Sequence, residues 1–180
     1  MTIFEFLSVA VSIVLALTLG KLIAATPHVF SSGARDVLHA GFFLVNSFVV
    51  LVIWWMVWTL NDKASWNFLE FITLMGSPIC LYLSAHILVS DEPREIDNWQ
   101  VHFESVHRWY FAATLATVVF AILRMTLVLG AQMRLTLGFI VLVIAFTVGI
   151  VTSRRSIHAG VLIFWLLFQV FAVSQQFTSN

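Results

Sequence analysis

Charge is what this sequence has least of. Lys, Arg, Asp and Glu make up 10% of the 180 residues, where a soluble domain carries roughly 25%. Nine basic and nine acidic residues cancel, so the basic footprint of a nucleic-acid-binding protein is absent and no nucleic-acid partner is expected. Cysteine occurs once, as Cys80 inside an apolar run. That excludes a disulfide framework and a cysteine-based metal motif, and the thiol reads as a small buried hydrophobe. A phosphate-cradling glycine loop, a Cys–His site and a recognisable nucleophile motif are missing too, which leaves little ground for a soluble enzyme.

Hydrocarbon fills the space instead. Apolar residues are 61% of the chain and the mean hydropathy is +0.99, so lipid is the expected solvent for most of it. The first apolar run begins at Ile3 without a basic segment before it and lasts about 20 residues, a spanning length rather than a cleavable signal. The pattern predicts an all-α fold, a polytopic transmembrane bundle of six helices forming a single domain over 1–180. The spans fall at about 3–25, 37–60, 67–89, 109–129, 135–151 and 157–173, each of membrane-crossing or near-crossing length. Thr26-Pro27, Ser31-Ser32-Gly33 and Gly130–Met133 supply breaks, and Trp54, Trp55 and Trp58 mark an interfacial belt. The one long loop is 90–108. Asp91–Asp97 reads as solvated, and Asn98–Arg108 as an amphipathic segment lying on the membrane or docking a partner.

Six spans place both termini on one face. Lys21, Arg35, Arg94, Arg108, Arg154 and Arg155 fall on the other, against Lys63 and Arg134 on the terminal face. The positive-inside rule then makes the loop-rich face cytoplasmic and both termini external, in a bacterial inner membrane.

Against this background a few polar residues stand out. Arg124 lies within the fourth span, and an arginine there costs several kcal/mol unless it finds an acceptor or a wet cavity. Glu5, Glu70 and Gln169 fall in the same half of the membrane. These four form a candidate intramembrane charge cluster, either an ion pair fixing helix register or part of a proton or cation relay. Helical spacing extends it into stripes: Glu5, Ser8, Ser12, Ala16 and Gly20; Glu70, Thr73, Ser77 and Ser84; Thr114, Thr117, Ala121 and Arg124; and His158, Leu162, Trp165, Gln169 and Gln176. Small and hydroxyl residues in such stripes let helices approach closely. Joined together, they would make one polar interior.

All six histidines fall towards the face away from the termini. Neutral imidazole is the common ligand for zinc, copper and haem iron, so His39, His86, His107 and His158 are candidates for a haem b or zinc site. Interfacial histidine that only snorkels is the plainer reading, and it requires no cofactor.

The opening FEFLSVAVSIVLALTLGKLI, the Trp54-Trp55-x-x-Trp58 ending of the second span, HRWYF from His107 and TSRRSIHA from Thr152 resemble a family of small, uncharacterised bacterial integral-membrane proteins. That resemblance covers most of the chain and implies a setting but no activity. The helix order is more weakly similar to the bacterial six-helix potassium-channel family. That family has a Phe-Ser-Asp motif in its first helix, where this chain reads Phe6-Leu7-Ser8-Val9. The expected function is a proton or small-cation channel or transporter-like bundle, acting as a homo-oligomer or as a subunit of a membrane complex. The alternatives are a haem- or metal-binding redox protein and a non-catalytic accessory subunit.

Overall fold

The computed structural model describes residues 2–31, 35–63, 65–129 and 133–178. The turns expected around Ser32-Gly33 and Gly130–Gln132 lie outside the described residues, as do the side chains of Arg134 and Gln176. The elements are α1 (Ile3–Val29), α2 (Val37–Trp58), α3 (Phe68–Val89), α4 (Trp99–Arg124), α5 (Met133–Val151) and α6 (Arg155–Thr178). A short 3-10 turn (Pro93–Glu95) precedes α4, and a π-helical turn (Met125–Leu129) extends it. The fold is all-α, and five of these helices are long and apolar enough to cross a membrane.

Capping sets the helix starts. Thr2 and Glu5 form a reciprocal capping box at the head of α1, and Asn67 and Glu70 form another at α3. Asp36 accepts from the His39 amide to start α2, and Asn98 accepts from the Gln100 and Val101 amides to start α4. Each satisfies amides that a helix N-terminus otherwise leaves without partners.

The fourth helix corrects the expectation of a loop over 90–108. It begins at Trp99, ten residues before the expected start at 109. Asn98 nucleates it, and Trp99, Phe103, His107 and Tyr110 recur at helical spacing and are all buried. Asn98–Arg108 is therefore neither a surface-lying segment nor a free docking arm. Its polar residues occupy one face of a helix whose other face is core. Hydropathy alone places the start where the apolar run begins, but a helix need not end at the membrane surface. From Trp99 to Leu129 the helical path is about 46 Å at 1.5 Å per residue, against about 30 Å of hydrocarbon.

The most extensive interface joins α3 to α4, followed by α4 with α5 and α1 with α3. The pair α3–α4 is thus the centre of the bundle. The stripes expected on α3 and α4 are buried, Ala121 only partly, and so are His158, Trp165 and Gln169 on α6. The stripe on α1 is not. Its buried face is Leu7, Val11, Leu15, Thr18, Leu22 and Ala25, while Glu5, Ala16 and Gly20 are exposed. In lipid there is little penalty for leaving an apolar side chain outside, so shape rather than polarity decides which face packs.

Close approach at the centre depends on Gly76, which the Phe120 ring of α4 covers so tightly that a Cβ there would collide with it. Gly76→Ala is expected to destabilise the bundle by about 1–3 kcal/mol through overpacking. Gly20→Ala, with nothing near its Cβ, is expected to be neutral or to stabilise by up to about 1 kcal/mol through helix propensity. Paired denaturation curves in detergent check both, and equal shifts would be the contrary result.

Candidate functional site

The odd-numbered helices run one way and the even-numbered helices the other, so each face collects helix ends of known chemistry. On the loop-rich face α1, α3 and α5 end, each leaving terminal carbonyls without intrahelical partners. Ring N–H groups take them up. Trp99 Nε1 donates to His28 O (3.0 Å) at the end of α1. His39 Nε2 and His102 Nε2 both donate to Leu88 O (2.9 and 3.1 Å) at the end of α3. His158 Nε2 donates to Thr152 O (2.9 Å) just beyond α5. Histidine is also the side chain favoured at the negative end of a helix dipole. This gives a physical reason for the bias of histidines to one face.

These rings pack together. His39 stacks on Trp99 with centroids 4.5 Å apart, and Phe103 lies 6.3 Å from His39 and 5.7 Å from His158. His107, whose Nδ1 donates to Glu104 O (2.8 Å), lies 5.1 Å from His158 between centroids. His39, His107 and His158 are therefore joined through the first turns of α4, with His102 added. His86 stands apart, partly exposed, 3.4 Å from an Asp91 carboxylate that Lys21 also holds at 2.7 Å. Among the described residues no group of three or more His, Cys, Asp or Glu side chains is arranged to hold a metal ion.

Outside the rings, Asp36 and Arg155 form a short ion pair, and Arg155 also reaches Glu104 at 3.4 Å. Asp36 is buried, and sequence reading overlooked it. An aspartate immediately before the apolar run at Val37 is the signal that marks it.

On the terminal face α1 and α3 begin, and the two carboxylates singled out from sequence are both third residues of capping boxes. Glu5 accepts from the Thr2 amide at 2.8 Å. Glu70 accepts from the Asn67 amide at 3.0 Å and pairs with Lys63 Nζ at 3.0 Å. Arg124 is 2% exposed. Its Nη1 is buried without a hydrogen-bond partner among the described residues. Ser77 Oγ donates to Thr117 O (3.2 Å) across the α3–α4 interface. Arg124 lies seven residues after Thr117 and Glu70 seven residues before Ser77, so the antiparallel register brings them to about the same level. They share a level without an ion pair, because Lys63 and the cap already engage the carboxylate. Gln169 is buried in the same half.

A buried guanidinium without a hydrogen-bond partner for its Nη1 among the described residues opposes folding. Arg124→Leu is therefore expected to preserve the fold and raise its stability by about 2–3 kcal/mol, the insertion cost of a central arginine. A loss of about 3–5 kcal/mol, the cost of breaking a buried pair, would instead reveal an acceptor for it.

Between the two faces, buried hydroxyls and an amide continue the polar path. Thr73, Ser77 and Ser84 on α3, Thr114 and Thr117 on α4, and Asn46 on α2 are all buried. Ser84 Oγ lies 3.4 Å from Asn46 Oδ1. Tyr110 Oη and Asn46 Nδ2 are buried without hydrogen-bond partners among the described residues. A cavity of about 570 Å³ between α1 and α2, lined by Phe4, Ser8, Ser12, Trp54, Trp55 and Trp58 among others, shares no residue with this path.

The chain matches no protein-family model, no curated protein and no solved structure. The resemblances of the opening segment, the tryptophan belt and the TSRRSIHA turn therefore carry no family assignment. A six-helix, largely apolar bundle of a polytopic membrane protein is what the architecture supports.

Proposed function

We propose that the bundle carries protons across the membrane along the seam between α3 and α4. The observation that carries this reading is the pair of buried polar stripes on the two central helices. One is Glu70–Thr73–Ser77–Ser84 and the other His107–Tyr110–Thr114–Thr117–Arg124. From Glu70 to the Leu88 carbonyl the seam is about 27 Å long at 1.5 Å per residue, close to the hydrocarbon thickness of about 30 Å. Buried polar groups in a membrane are costly, and those facing a bundle interior commonly mark ion pathways and proton relays.

A proton suits the seam better than a larger cation. Phe120 seals against Gly76 at mid-membrane, which favours hopping between hydroxyls and single waters over passage through an open bore. A fixed positive charge at Arg124 also opposes a metal cation. In this reading His107 exchanges protons at the loop-rich end and Glu70 at the terminal end. Deprotonated Glu70 pairs alternately with half-buried Lys63 and with Arg124, which shares its level. Arg124, whose Nη1 has no hydrogen-bond partner among the described residues, is then the vacant half of a two-position switch, retained despite its effect on stability.

The test is acidification of proteoliposomes containing a pH-sensitive dye, driven by a potassium gradient with valinomycin. Flux above empty vesicles is expected, and Thr117→Val is expected to reduce it. Flux indistinguishable from empty vesicles in a correctly folded preparation would remove the proposal. Association as a homo-oligomer or with a larger membrane complex, placement in a bacterial inner membrane and external termini remain part of this proposal, supported by the apolar exterior and the bias of basic residues.

A further inference from the structure

We propose that His107 and His158 form a binding site for a divalent transition-metal ion of the zinc or copper class. Each ring has one nitrogen committed to a backbone carbonyl: His107 Nδ1 to Glu104 O and His158 Nε2 to Thr152 O. A carbonyl only accepts, so these nitrogens carry the protons, and the neutral tautomers leave lone pairs on His107 Nε2 and His158 Nδ1. Locking one ring N–H on a carbonyl is the outer-shell arrangement that orients histidine ligands of metals. His107 is 5% exposed, and its Nε2 has no hydrogen-bond partner among the described residues.

The spacing fits a shared ion. With metal–nitrogen bonds of 2.0–2.1 Å, a ring centroid lies about 3.2 Å from the metal, so centroids 5.1 Å apart subtend about 106° there, close to a tetrahedral angle. Phe103 and Phe111 stand 5.7 and 5.1 Å from the His158 ring. They wall the site with apolar surface. Two protein ligands leave the remaining positions to water or an external ligand, as in an open rather than a structural site. Arg155, held by Asp36 and Glu104, is the nearby cation, and its two carboxylate partners offset its charge.

Occupation would engage both lone pairs and stop His107 from accepting a proton, closing the loop-rich end of the seam. That consequence rests on the proton reading, whereas the binding does not. The experiment therefore has separate arms. Full-length protein in mild detergent, freed of metal with chelator, is titrated with Zn²⁺. One equivalent per chain is expected, with affinity at least about ten-fold weaker in His107→Gln and in His158→Gln, since even an outer-shell change around a ligand costs about that much, and unchanged in His102→Gln. Independently of any variant, Cu²⁺ bound to the wild-type protein is expected to show two equatorial imidazoles by pulsed EPR. No saturable binding, fewer than two imidazoles, or binding that survives both substitutions would overturn the site. In proteoliposomes Zn²⁺ is expected to suppress flux in the wild type and not in His158→Gln, which lacks one ligand and keeps His107. Two-imidazole binding without any flux to suppress would leave the site standing and count against proton transport alone.

Discussion

Replacing Trp99 with alanine is expected to cost the folded bundle about 3–5 kcal/mol, the range for truncating a large buried aromatic side chain. The indole is fully buried, donates to His28 O at 3.0 Å and stacks on His39 at 4.5 Å. Its removal leaves a void between α1, α2 and α4 and strips a partner from the last turn of α1. It also exposes His39, whose Nδ1 is buried without a hydrogen-bond partner among the described residues, to whatever fills that void. Trp99→Phe separates the effects. It keeps most of the packing and loses the hydrogen bond, and is expected to cost about 0.5–1.5 kcal/mol, the net worth of such a bond. Denaturant titration followed by helical circular dichroism measures both. If Trp99→Ala cost no more than an exposed substitution such as Trp109→Ala, Asn98–Arg108 would behave as the surface segment that hydropathy suggests, and the extended α4 would have no role in stability.

Trp99 also shows where sequence reading stops. The six apolar helices and the buried stripes on α3 and α4 were legible because spanning length and helical periodicity are written in the order of residues. The start of α4 was hidden because WQVHFESVHR mixes polar and apolar residues, and a hydropathy window averages the two faces. A capping asparagine at 98 followed by Trp99, Phe103 and His107 at intervals of four was the available signal. Thr2-x-x-Glu5 and Asn67-x-x-Glu70 were likewise readable as capping boxes, the pattern that fixes a helix start. Reading Glu5 and Glu70 first as counter-ions for Arg124 overlooked that local use, which needs no third residue. The buried face of α1 was not readable at all, since a helix surrounded by lipid has no water to sort its two sides. The joining of histidines from α2, α4 and α6 depended on the α4 extension, because only the first turns of that helix bring His102 and His107 between the others.

Glu70→Gln is expected to reduce proton flux by about 100-fold or more, in line with the 10²–10⁴ that a positioned acid or base contributes to proton transfer, while leaving the fold intact. The two halves of that expectation have different causes. Glutamine serves as well as glutamate at the third position of a capping box, so the Asn67 amide keeps its acceptor and α3 its start. The ion pair with Lys63, 26% exposed at its side chain, is near enough to water that losing it costs only about 1 kcal/mol or less. What the amide cannot do is take and release a proton at the end of the seam. Lys63→Gln provides the contrast: it frees the carboxylate to turn towards Arg124 without removing its proton chemistry, so flux is expected to change in rate but not to vanish. Flux equal to wild type in Glu70→Gln, with unaltered reconstitution, would reduce Glu70 to a helix cap. Loss of folded protein in that variant would show that its charge, rather than its hydrogen-bonding shape, holds the head of α3.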